Sequence, residues 1–154
     1  MKFLNPLIVV SNMEKSKLFY YEVLGLKVIE DLGANVTLTG GIALQTKDSW
    51  CTFIHKKDSE VVFGGNESEL YFEEDDFDSF IQKLNNMRDI NYVHSMIEHS
   101  WGQRVVRFYD PDKHIIEVGE NIIKVVRRFL DSGLSIEETA IRMDVPLDYV
   151  KSCL

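Results

Sequence analysis

The apolar run at residues 3–10, broken only by Asn5 and Pro6, predicts a strand. Ser11 and Asn12 then offer an N-cap, and Leu18, Phe19 and Val23 recur at helical spacing up to Gly25, a residue suited to the left-handed position that ends a helix. Short strands are predicted over residues 26–31, 36–39 and 42–46, punctuated by Gly33, Gly40 and Gly41. The same order then returns. Residues 69–73 predict a strand, Asp75 or Asp76 a cap, and Phe77, Phe80, Ile81 and Leu84 the i, i+3, i+4, i+7 stripe of a helix. Strands over residues 90–93, 103–109 and 114–119 complete a second β-α-β-β-β unit.

The repeat carries its spacing with it: Asn5 lies seven residues before Asn12, and Glu69 seven before Asp76. The expected fold class is therefore α+β: paired β-α-β-β-β modules forming a curled, mostly antiparallel sheet, a cup, with a C-terminal helical tail. The modules span about 1–46 and 67–120, joined by a linker at 47–66 that contains Trp50, Phe53 and room for a short helix. Helices cover one face of such a sheet, and the other curls around a ligand or a counterpart unit.

Residues 121–154 stand apart. Ile122, Ile123, Val126, Phe129 and Leu130 form a helical stripe ended by Gly133, and Ser135 with Glu138 forms a capping box for a second helix. Pro146 suits the first turn of a third. Residues 134–154 resemble the first two helices of a helix-turn-helix, but residues 121–154 hold five basic and five acidic side chains, too balanced for DNA.

Charge points the same way. With 25 acidic and 17 basic residues the net charge is −8, which repels phosphate backbones and anionic lipid, so neither nucleic acid nor membrane is an expected partner. Cys51 and Cys153 make no metal or disulfide pattern, and no apolar stretch approaches a membrane span or a secretory leader. A reducing cytoplasm is the expected location.

Three segments together carry a resemblance. Phe19-Tyr20-Tyr21-Glu22-Val23-Leu24-Gly25-Leu26, the strand Glu69–Glu73 leading to Asp76-Phe77, and Arg107-Phe108-Tyr109-Asp110-Pro111-Asp112-Lys113-His114-Ile115-Ile116-Glu117 resemble the motifs of the vicinal-oxygen-chelate superfamily, which includes glyoxalases, bleomycin-resistance proteins and extradiol dioxygenases. Lys113 departs from the pattern where the superfamily turns on glycine. The Asp110-Pro111-Asp112 turn itself reads as structural, starting the strand that delivers Glu117.

The resemblance implies four metal-ligand positions, which fall here on Asn5, Gln45, Glu69 and Glu117. None is histidine, so no cofactor is expected beyond a weakly bound divalent metal. His99, in the loop before Gly102, is the best-placed histidine, while His55 and His94 read as loop residues. By alternation Arg107 and Tyr109 share the face of Glu117. There Arg107 either clamps an anionic ligand group or neutralises Glu69 and Glu117, the internal ion pair being favoured. Trp101, Tyr71 and Trp50 are further ligand-binding candidates, with Trp101 preferred as a stacking residue.

The expected function is binding of an unidentified small molecule without the usual histidine-bound metal, in a homodimer. The alternative is a metal-dependent lyase, isomerase or dioxygenase resembling lactoylglutathione lyase, with Glu117 or Glu69 as its catalytic base. A second alternative is a regulatory protein using the tail.

Overall fold

A computed structural model describes residues 1–154, which group into two units: Met1–Glu67 with Asp110–His114, and Ser68–Tyr109 with Ile115–Leu154. The first unit runs β1 (Leu7–Val10), α1 (Met13–Leu24), β2 (Val28–Asp31), β3 (Asn35–Leu38), β4 (Ala43–Thr46) and α2 (Lys47–Phe53). The second runs β5 (Glu69–Glu74), α3 (Phe77–Asn86), β6 (Asn91–Glu98), β7 (Arg104–Tyr109) and β8 (Ile115–Glu120). It continues into the tail helices α4 (Ile122–Asp131), α5 (Ile136–Met143) and α6 (Leu147–Ser152). No helix is long and apolar enough to cross a membrane.

The two units repeat one topology. Their sheets have strand orders β1-β4-β3-β2 and β5-β8-β7-β6. In each, the first strand pairs in parallel with the last, and the other pairings are antiparallel. Neither sheet closes on itself, and the expected α+β architecture with a helical tail is what the chain adopts.

Local chemistry sets the boundaries. The Asn12 side chain accepts from Lys15 N–H at 3.0 Å, and α1 ends where Gly25 takes φ 71°, its N–H on Tyr21 O. Asp76 rather than Asp75 caps α3, accepting from Ser79 N–H. Two strand boundaries differ most from expectation. Strand β1 begins at Leu7, because Pro6 interrupts the run. Strand β6 extends to Glu98, placing His94 in a strand rather than a loop.

In the first unit the turn at 110–114 is a hub. The Asp110 carboxylate accepts from Tyr20 O–H at 3.0 Å, from the backbone of Asp112 and His114, and pairs with His114 Nδ1 at 2.8 Å. Asp112 accepts from Ser11 N–H at 3.0 Å. Lys113 takes φ 68°, the conformation glycine would adopt without strain. Burial alone would lower the His114 pKa, but the hydrogen bond and charge of Asp110, aided by Asp112 and Glu67, outweigh it and hold it above the ordinary imidazole value. A raised folded value means His114 stabilises the fold below the unfolded pKa of about 6.5, and the gain is lost as pH rises through the folded value. His114→Gln should therefore remove a fall in stability on going from about pH 6 to pH 8, read by urea unfolding. An unchanged pH slope would refute the assignment.

In the second unit, neighbouring arginines serve opposite sheet faces. Arg104 lies over the Phe77 ring at 5.3 Å, pairs with Asp78 at 2.7 Å and grips Glu120 through Nε and a terminal nitrogen at 3.1 and 3.0 Å. This places the N-terminal turn of α3 on that face. Arg128 of α4 binds the same buried Glu120 at 3.0 Å, tying the tail to β8. The two guanidiniums outweigh desolvation and hold the Glu120 carboxyl below its usual value. The tail has its own small core of Val125, Val126, Phe129, Ala140, Met143, Val150 and Cys153.

Candidate functional site

The polar face of the second sheet is built by register. Tyr71 on β5 lies beside Glu117 on β8, Glu117 opposite Arg107 on β7, and Arg107 opposite His94 on β6. These four side chains form one row, with Glu69 two residues back along β5 on the same face. The other side of β7 and β8, with Val106, Phe108, Ile116 and Val118, is buried.

Arg107 organises the row. Its Nε donates to Glu69 at 2.9 Å, and one terminal nitrogen pairs with the buried Glu117 carboxylate. The other terminal nitrogen lies 3.3 Å from His94 Nε2. A guanidinium only donates, so His94 Nε2 accepts and Nδ1 carries the proton, consistent with Nδ1 lying 2.8 Å from Ser95 O. One planar cation thus sits between the two carboxylates expected from sequence as metal ligands, the internal pairing favoured there.

The other two positions lie in the first unit. Gln45 is buried on β4, its carbonyl oxygen accepting from the Asn35 amide at 2.7 Å and its own amide donating to Ser49. Ser49 is held by Thr46 in turn. Asn5 is half-buried just before β1, and Trp50 is half-buried on α2.

The remaining candidates surround the second unit's row. Tyr71 donates to Glu73 at 3.0 Å and accepts from Gln103 at 2.8 Å. Tyr109 is half-buried at the end of β7. Trp101 stacks on His99, ring centroids 4.1 Å apart, and donates to Gln103 at 3.3 Å. Burial, then the charge of Arg107, holds His99 below the ordinary imidazole pKa against the opposing charge of Glu69.

Sequence reasoning missed Gln103 and Gly119. Gln103 is buried, linking Trp101, Tyr71 and the Glu120 carbonyl. Gly119 leaves room for this link, since a Cβ there would lie 2.8 Å from the Gln103 amide and 3.3 Å from the Tyr71 ring. A glycine inside a strand was the available signal.

Comparison with known proteins follows the same outline. The glyoxalase-like domain family matches residues 3–123. A protein of unknown function from Agrobacterium tumefaciens is 37% identical, with a TM-score of 0.70 over 79% of this chain and 94% of that one. Lactoylglutathione lyase from Agrobacterium tumefaciens is 20% identical, with a TM-score of 0.60 over 79% of this chain and 95% of that one. A glyoxalase/bleomycin resistance protein/dioxygenase from Nocardioides is 16% identical, with a TM-score of 0.63 over 78% of this chain and 83% of that one. No curated protein matches in sequence.

Proposed function

The chain belongs to the glyoxalase-like domain family of the vicinal-oxygen-chelate superfamily, and on that premise we propose that it binds a small molecule without a histidine-bound metal. The observation that carries this reading is Arg107, whose guanidinium pairs with both Glu69 and Glu117. A fixed guanidinium cancels half the charge of the carboxylate pair and occupies its oxygens, which weakens its attraction for a divalent ion, and the Asn5 and Gln45 amides add no charge. First-row metals favour imidazole or thiolate donors, which these four positions lack. The donor set therefore fits a resident Zn²⁺ or Ni²⁺ poorly. Ligand contacts would come from Tyr71, Tyr109, Arg107 and His99.

Elemental analysis of the purified protein should find no stoichiometric Zn²⁺ or Ni²⁺, and a metal-reconstituted assay should find little turnover of the methylglyoxal–glutathione adduct. One tightly held metal per chain, lost in Glu117→Gln, would instead establish the enzyme reading, with Glu117 or Glu69 as base. One observation favours that second reading: His94 Nε2, 3.3 Å from Arg107, brings an imidazole nitrogen beside the carboxylates.

The assembly we propose is a homodimer, supported by the outer strands β2 and β6, which each have one edge unpaired within their own sheet. Sedimentation at about 50 µM should give a dimer mass, and a monomer there would refute it.

A further inference from the structure

We propose that the second unit carries an additional binding site, for a small organic cation, in the cleft between the β6–β7 turn and the tail. The cleft has a volume of about 470 Å³ and is lined by Ser100, Trp101, Ile122, Met143, Val145 and Tyr149, with Asp144 at its edge. More than half of these residues come from the tail beyond the family-matched segment.

Two rings offer the binding surface. Trp101 and Tyr149 remain 37% and 41% exposed, Trp101 in the β6–β7 turn and Tyr149 on α6. Trp101 does not rotate freely: His99 stacks on it, and its indole N–H is tied to Gln103. Its ring is thus pre-set before any ligand arrives, which lowers the ordering cost of binding. Ile122, Met143 and Val145 provide an apolar floor for methyl or methylene groups.

The charge around the cleft selects the ligand's sign. Asp144 sits in the turn between α5 and α6 at φ 55°, and Glu73 borders the cleft by accepting from Ile122 N–H at 3.4 Å and from Tyr71 O–H. Three nearby cations are engaged with other acceptors: Arg128 with Glu120, Arg142 with Glu98 and the Ser100 carbonyl, and Lys151 with Asp148. Aromatic faces beside carboxylates that lack a basic partner are the surroundings a quaternary or alkylated ammonium prefers, through cation–π attraction and long-range charge. A neutral molecule of the same shape would gain the apolar contact alone.

The test compares choline with its neutral isostere 3,3-dimethylbutan-1-ol. Trp50→Phe leaves Trp101 as the sole tryptophan, so its emission reports the cleft, and calorimetry on the unmodified chain provides an independent reading. Choline should give a saturable signal by both methods, with the alcohol bound at least about fivefold more weakly. Tyr149→Leu and Asp144→Asn, each checked for an unchanged circular dichroism spectrum, should each weaken choline binding about fivefold or more. No saturable signal up to about 50 mM choline, equal binding of the alcohol, or undiminished binding in both variants would overturn the proposal.

Discussion

Arg107→Ala should destabilise the protein by about 3 kcal/mol at neutral pH, the lower end of the cost of stripping a partner from a buried charge. Glu117 is 6% exposed and would be left without its cation, whereas Glu69 reaches solvent and recovers hydration. For a chain of this length the melting temperature should fall by roughly 6–12 °C. Arg107→Lys should recover part of the loss, since an ammonium restores charge but not the planar fork that meets both carboxylates. The same variant exposes the logic of the site. With the guanidinium gone, Glu69, Glu117 and His94 are released together, and adding Mn²⁺ or Zn²⁺ should return stability, about 2.7 kcal/mol at a hundredfold excess over Kd. A variant that loses less than about 1 kcal/mol would show that Arg107 does not carry the Glu117 charge.

Gly102→Ala should cost about 3–4 kcal/mol, from backbone strain and overpacking acting at one position. Gly102 has φ 90°, which L side chains rarely adopt, and a Cβ there would overlap the edge of the Phe129 ring. Phe129 is anchored among tail core residues, with Arg128 and Arg142 guanidiniums 5.2 and 5.1 Å from its centroid. The Gly102 carbonyl also accepts from Arg128 at 2.6 Å. The substitution should therefore loosen α4 from the β6–β7 turn first. Hydrogen exchange should accelerate in Ile122–Asp131 while Leu7–Val10 and Ala43–Thr46 stay protected. Uniform protection in both regions, with an unchanged melting temperature, would contradict the docking role.

Much of this was legible because the chain states it locally. Gly25 and the Phe77, Phe80, Leu84 stripe marked the helices, and the repeat of strand, cap and helix fixed the topology. Alternation correctly put Arg107 and Glu117 on one face, since both lie on regular strands joined by a short turn. His94 was missed because the strand was expected to end at residue 93, whereas β6 runs on to Glu98 through register shifts between Tyr92 and His94 and between His94 and Ile97. The Glu120 cluster was invisible for another reason. Arg104 and Arg128 lie 24 residues apart and meet only at Glu120, once α4 packs against β8. The left-handed backbone at Gly102 likewise has meaning only once Phe129 is in place.

The first unit is discontinuous along the chain, and this governs how the protein is made and how it can be divided. During synthesis β1 waits for β4, its parallel partner, and the Tyr20 hydroxyl waits far longer for Asp110, which is translated after three of the second unit's four strands. A nascent chain ending at Glu67 holds a buried phenol with no acceptor and a Ser11 N–H with no carboxylate. Cutting at residue 67 therefore yields a fragment short of its own keystone, and a self-sufficient first half needs the Asp110–His114 turn grafted back.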